Sequence, residues 1–181
     1  MHGSLNYHAD ADMIIDYTEQ QKHLRRELRD YFSKLIKPDH RETLRGNEGG
    51  DLYKGLIRQM GSDGWLALGW PREYGGQGAT STEQLIFFEE ALLANAPIPF
   101  VTLNTVGPAL IDYGTEEIKQ KFLPGIAAGE IHFCIGYSES NAGTDLAALA
   151  TSAVVAPDDP DYYIINGTKV FTSSAEAADY V

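Results

Sequence analysis

The sequence predicts an α+β chain: an N-terminal all-α helical bundle over residues 1–130, followed by the first strands of an antiparallel, β-barrel-like domain over residues 131–181. Three observations carry this expectation. Apolar residues recur every three or four positions up to Glu130 and every second position after it. Asn166-Gly167 sits between two short β-prone runs, the pattern of a two-residue hairpin turn. The β portion holds only about 50 residues, too few to close a barrel or a sandwich, so the second domain reads as incomplete.

From Tyr17 to Ile36, Leu24, Leu28, Phe32 and Ile36 repeat every four positions with charges between them, which describes an amphipathic helix that Pro38 stops. A polar stretch with Gly46, Gly49 and Gly50 follows, and Leu52, Leu56, Ile57 and Met60 restore the helical period. Trp65 to Gly78 holds both tryptophans, Pro71, Tyr74 and a glycine-rich run. It reads as a tight apolar loop that re-enters a helix at a Ser81/Thr82 cap. Glu83 to Ala96 is apolar on nearly every side except at Glu89 and Glu90, as expected of a helix central to a bundle. Pro97 and Pro99 break it. Val101 to Tyr113 supplies another helix stopping at Gly114, and Thr115 caps the next, with Glu116 and Glu117 at its positive end. Beyond Glu130, Ile131, Phe133, Ile135 and Tyr137 alternate as in a strand, Thr151 to Ala156 reads as a second strand, and Tyr162–Ile165 and Thr168–Thr172 flank the Asn-Gly turn.

Composition narrows the function. The chain has 181 residues, 43% hydrophobic and 22% charged, which is ordinary for a globular protein with a real core. Its net charge of −12 repels phosphate backbones and argues against nucleic acid as a partner. Eight of its 14 basic residues fall between Lys22 and Arg45, as a solvated helix face or a docking patch. The single cysteine, Cys134, forms no intrachain disulfide, no Cys/His cluster has metal-site spacing, and the five histidines read as scattered surface residues. No apolar run is long enough for a membrane helix, and Met1 to Ile15 lacks the basic-then-apolar pattern of a secretion signal, so the expected location is cytoplasmic.

Several motifs fail on inspection. There is no Gly-Lys-Ser/Thr and no His-Glu-x-x-His. Gly136-Tyr137-Ser138-Glu139-Ser140 lacks the second glycine that a hydrolase nucleophile elbow needs at its sharp turn. What remains is Tyr137 to Asp145, a strand end running into a loop of small and hydroxyl residues. Such a loop lets backbone N–H groups and short hydroxyls approach an anionic or heteroaromatic ligand. The same residues also describe a capped turn in which Thr144 and Asp145 satisfy local amides.

Four segments, in order, resemble the acyl-CoA dehydrogenases. Gly69-Trp70-Pro71-Arg72-Glu73-Tyr74-Gly75-Gly76 is similar to that family's Trp-Pro-x-x-Tyr-Gly-Gly segment, and Gly114-Thr115-Glu116-Glu117 through Leu123-Pro124 and Gly129-Glu130 resembles its helix before the middle domain. Ser138-Glu139-x-x-Ala142-Gly143-Thr144-Asp145 is similar to its flavin motif, and Asn166-Gly167-x-Lys169-Val170-Phe171-Thr172-Ser173 to its Asn-Gly-x-Lys-x-Trp-Ile-Thr run.

The resemblance implies an FAD-dependent dehydrogenation of an acyl-CoA thioester. It places Ile135, Gly136, Tyr137, Ser138, Gly143 and Thr144 along the FAD, with Thr144 also near the acyl-CoA. Phe171 takes the place of a tryptophan against the flavin, Thr172 follows it, and Ser173 stands where a threonine hydrogen-bonds flavin N5. The family's catalytic base is a glutamate on a C-terminal helical domain that nothing here matches. No catalytic residue is therefore assigned, the chain alone is expected to be inactive, and Glu139 is expected to hold the loop. Electron-transferring flavoprotein is the implied acceptor, and the expected assembly is a homo- or hetero-oligomer. The details look most like an actinobacterial branch, some of whose members pair unlike subunits. An acyl-CoA oxidase and a non-catalytic partner subunit are the two alternatives.

Overall fold

The computed structural model describes residues 16–181, and the reading of residues 1–15 lies outside them. Among the described residues, six α-helices precede two strands: α1 (Glu19–Leu35), α2 (His40–Leu44), α3 (Asp51–Ser62), α4 (Ser81–Ala94), α5 (Gly107–Tyr113), α6 (Glu116–Ala127), β1 (Ser152–Ala156) and β2 (Asp159–Asn166). The architecture is α+β, with the strands forming an unclosed two-stranded antiparallel sheet.

Local chemistry sets the helix starts. Thr18 Oγ1 accepts from Gln21 N at 3.2 Å while Gln21 Oε1 accepts from Thr18 N at 3.0 Å, a reciprocal capping box at the head of α1. The head of α4 is built the same way, but by Thr80 rather than the expected Ser81/Thr82: Glu83 N donates to Thr80 Oγ1 at 3.3 Å, and the Glu83 carboxylate accepts from Thr80 N at 2.8 Å. A capping box needs its Glu or Gln three residues after the cap; Ser81 has Gln84 at that distance, but Gln84 Oε1 accepts from Gly69 N at 2.6 Å, so the box falls to Thr80 and Glu83. Thr115 caps α6 by accepting from Ile118 N at 3.3 Å, as the sequence predicts.

The core lies where α1 and α4 cross, extended by α3 and α6. Leu28 and Phe32 of α1 meet Ile86, Phe87 and Ala91 of α4, with Ile57 and Met60 from α3 and Leu123 and Ile126 from α6, all at most 1% exposed. Phe32 and Phe87 stack tilted at 5.8 Å between ring centroids. Each such side chain taken out of water contributes roughly 2–3 kcal/mol. The loop after α3 buries Leu66, Leu68, Trp70 and Tyr74 against this core. Gly107, at the start of α5, leaves the room that the Trp70 indole occupies, since a Cβ there would collide with it.

Three expectations need correction, the first about the basic cluster of α1. Glu90, one of the two adjacent glutamates of α4, is only 2% exposed. Its carboxylate accepts from Arg25 Nε at 2.7 Å and from Arg29 Nε and Nη2 at 3.0 and 2.9 Å. Part of the basic cluster thus faces inward as countercharge, while Leu92 and Leu93 of α4 are exposed. The helix expected over Val101–Tyr113 is in two parts, a π turn at Thr102–Val106 followed by α5. Thr102, at the π turn, is buried and its hydroxyl bonds both Phe133 N (2.9 Å) and Phe133 O (3.2 Å). Finally, His132 is buried rather than on the surface, and that burial pushes its pKa down.

The β segment departs further from expectation. The alternating run 131–137 is extended but forms no ladder: it makes one parallel bridge, Phe133 to Tyr180, with Cys134 N donating to Tyr180 O at 3.0 Å. The hairpin forms one turn earlier than predicted. β1 pairs with β2 in the register Ser152↔Asn166 through Val155↔Tyr163, with a bulge between Val155 and Ala156 and a turn at Pro157-Asp158. Proline and aspartate suit that turn, because one presets φ and the other bonds its own backbone. Thr168–Thr172, read as the returning strand, leave the hairpin instead. Gly167 serves close packing there, since a Cβ would collide with the Thr151 side chain.

Candidate functional site

Two strips of chain come together beside the helical block. Ile135 to Ser138 runs extended, and Val170 N donates to Ser138 O at 2.9 Å while Lys169 Nζ donates to Tyr137 O at 3.1 Å. This draws Phe171, Thr172 and Ser173 to the same region as Ile135, Gly136, Tyr137 and Ser138. Two aromatic rings stand uncovered here, Tyr137 at 58% and Phe171 at 92% exposure. Phe171 has φ 56°, a left-handed conformation costly for a bulky residue. Gly143 and Thr144 follow in the loop, both exposed.

Glu139 organises the loop. Its backbone closes a tight turn with Ala142, N to O at 2.7 Å and O to N at 3.2 Å. Its carboxylate is buried and accepts from Ala150 N at 2.7 Å, Thr151 N at 2.9 Å, Lys169 Nζ at 2.8 Å and the Thr151 hydroxyl. The Lys169 ammonium, then the Thr151 hydroxyl and the two amides, hold its pKa down at about 2. The carboxylate is therefore ionised and fully engaged. The loop is pinned from inside by Glu139, not by the expected Thr144 and Asp145 side chains, while Ser140, Gly143 and Thr144 are exposed.

A cleft of about 660 Å³ opens between the helical block and the chain after Ser173. Its walls are largely apolar: Phe88 and Leu92 of α4, the Pro97–Thr102 stretch, Phe133 and Ala177. Ser173 lines it; Tyr137, Ser138 and Thr144 do not. Glu48 at the rim accepts from Ser174 Oγ at 2.7 Å, and His132 contributes a neutral-leaning imidazole. Of the residues singled out in the sequence, the structure brings the 135–138 and 171–173 strips together and joins the second to the cleft, while Gly143 and Thr144 stand on the outer loop.

The sequence left the roles of two features open. Pro97-Ile98-Pro99 reads only as a helix breaker, yet it forms a wall of the cleft. Lys169 was visible as the single Lys or Arg of residues 131–181, and a lone cation among seven carboxylates is a signal that one of them needs it. No group of three His, Cys, Asp or Glu among the described residues could hold a metal ion, and no described helix is long and apolar enough to cross a membrane.

Fold and site together define an α+β protein in which a helical domain packs an apolar cleft against a β segment carrying a pinned, small-residue loop. The chain belongs to the acyl-CoA dehydrogenase family: residues 18–130 match the acyl-CoA dehydrogenase N-terminal domain and residues 134–181 the middle domain. It is 56% identical over 173 residues to acyl-CoA dehydrogenase FadE26 of Mycobacterium tuberculosis, covering 93% of this chain and 42% of that protein. It superposes on a chain of the ChsE4-ChsE5 complex from Mycobacterium tuberculosis with a TM-score of 0.83 at 56% identity, covering 92% of this chain and 42% of that one. The Tcur3481-Tcur3483 steroid ACAD gives a TM-score of 0.84 at 49% identity, over 92% of this chain and 43% of that one. The chain thus spans less than half the length of these relatives.

Proposed function

We propose that this chain carries the helical domain and the flavin-facing strips of an FAD-dependent acyl-CoA dehydrogenase, which removes a proton and a hydride from adjacent carbons of an acyl-CoA thioester. The observation that carries this reading is the apolar cleft of about 660 Å³, because its wall includes Ser173, the residue placed nearest the reacting centre by the family resemblance. An acyl chain needs such a dry wall, and the chemistry needs the proton and hydride acceptors close to it.

The residues present fit FAD. Two uncovered aromatic rings and a loop of small, outward-facing residues suit a flat heteroaromatic group with a phosphate tail. In this reading the 135–138 backbone and Ser138 hydroxyl hold one edge of the flavin, Phe171 packs on its face, Ser173 donates a hydrogen bond to it, and Gly143 and Thr144 border it, Thr144 on the acyl-CoA side. The chemistry that FAD supplies when bound is acceptance of the hydride, with electron-transferring flavoprotein as the onward acceptor. Glu139, the carboxylate between the strips, is held by four donors and is not placed to act as base. In this reading the proton leaves to a group outside these residues.

The relatives named as pairs, ChsE4-ChsE5 and Tcur3481-Tcur3483, favour assembly with an unlike chain. Titrating the purified chain with FAD is expected to change flavin fluorescence, and Phe171→Ala with Ser173→Ala to abolish the change. Acyl-CoA-dependent dye reduction should be absent from the chain alone and appear with a partner that supplies the base. Turnover by the chain alone overturns this division, and unaltered flavin fluorescence overturns the FAD assignment. Peroxide formation in place of electron-transferring flavoprotein reduction would mark an oxidase.

A further inference from the structure

We infer that Glu139 and Lys169 form a positioning pair that sets the distance between the two cofactor-facing strips, an assignment that rests on the FAD reading above. Glu139 reaches two separate segments with one carboxylate: Ala150 and Thr151 before β1, and Lys169 after β2. Lys169 in turn donates to both Glu139 and Tyr137 O, so one ammonium ties the 169–173 strip to the 137–139 strip at two points. Val170 N to Ser138 O adds a third.

Two glycines make room for this device. The Lys169 stem passes over Gly136, where a Cβ would stand 3.2 Å from its Cγ, and Thr151 packs on Gly167, where a Cβ would collide. The cluster therefore looks built around the carboxylate. Neither charged group is spare: the Lys169 charge is spent inside the protein, which leaves residues 131–181 with no cation to meet the phosphates of CoA. Because the Lys169 ammonium ends on the Tyr137 carbonyl and the Glu139 carboxylate rather than on a reacting group, the pair acts through Tyr137 and Phe171 and is a positioning element rather than a catalytic one.

The full chain tests this with E139Q, K169M and K169R, each checked for native helix content by circular dichroism. Two readouts are taken: amide hydrogen exchange at Ala150 and Thr151 without FAD, and FAD affinity with the visible flavin spectrum. E139Q and K169M are expected to speed exchange at both amides at least tenfold, weaken FAD binding about tenfold or more and shift the flavin band, while K169R, which keeps the cation, restores most of each. Unchanged exchange in E139Q overturns the pair as a clamp. Faster exchange with unaltered FAD affinity and spectrum reduces it to a structural ion pair and overturns the positioning role. If the wild-type chain takes up no FAD, the functional reading above fails and the positioning role with it, and exchange then reports only whether the clamp exists.

Discussion

The helical block and the β segment differ in how they hold themselves together. Residues 16–130 enclose a core in which Leu28, Ile57, Met60, Leu66, Ile86, Phe87 and Leu123 lose all contact with water. In residues 131–181 the buried groups are His132, Cys134, Glu139 and Ala142, and both strands of the hairpin are exposed nearly throughout. The first region is stabilised by apolar burial; the second is anchored to it by Ile131 and by Phe133 and Tyr180 on Phe122, and is otherwise held by hydrogen bonds and one ion pair. A two-stranded hairpin with Val154, Val155, Tyr163 and Ile165 facing solvent is marginal in water by itself. The comparison teaches where the molecule tolerates change: the helices share one buried core, and the candidate site is laid on its surface.

Phe87→Ala is the largest expected break. It empties the centre of the core and should cost about 4 kcal/mol, read as a shifted denaturation midpoint. A loss below about 1 kcal/mol would show that the core is not shared by α1 and α4. Next is Glu90→Ala, which leaves Arg25 and Arg29 without their partner. Both arginines are partly exposed and regain water, so the expected loss is about 2 kcal/mol, less than for a fully buried pair. A variant as stable as wild type in a denaturant melt would demote this ion pair to surface decoration.

Acid separates the regions differently. The folded Glu139 pKa of about 2 lies below its ordinary 4.5, so this carboxylate adds stability that is fully present above pH 4.5 and lost as pH falls from there toward 2. Amide shifts of Ala150 and Thr151 followed by NMR should titrate with a midpoint well below 4.5; a midpoint at 4.5 would mean that Lys169 and the amides do not hold it. The smallest effect is expected at the hairpin. Ile165→Ser, at 71% exposure, should change stability by less than about 0.5 kcal/mol. A much larger loss in the same melt would show that this face is covered in solution.

Much of the helical block was legible because its signals are local. The four-residue repeat of Leu24, Leu28, Phe32 and Ile36 places α1, Pro38 ends it, and Thr115 caps α6 without reference to anything distant. The Thr80 cap lies one residue before the expected Ser81 because Gln84, the box partner Ser81 would need, is bonded to the distant Gly69 N. The site was legible in part. Its strips, 135–138 and 171–173, could be named from motif resemblance, but that they lie side by side follows from Val170 and Lys169 bonding back to Ser138 and Tyr137.

By itself, then, the sequence determined the division into helical and β regions, most helix bounds and the acidic character of the second region, since periodicity, caps and charge counts are properties of neighbours along the chain. Tertiary structure decided that Glu90 turns inward, that the hairpin turns at Pro157-Asp158 and that Lys169 belongs to Glu139, 30 residues away. Each of these depends on which distant group offers a countercharge or a surface to pack on. Periodicity records the spacing of side chains but not the identity of what they will meet.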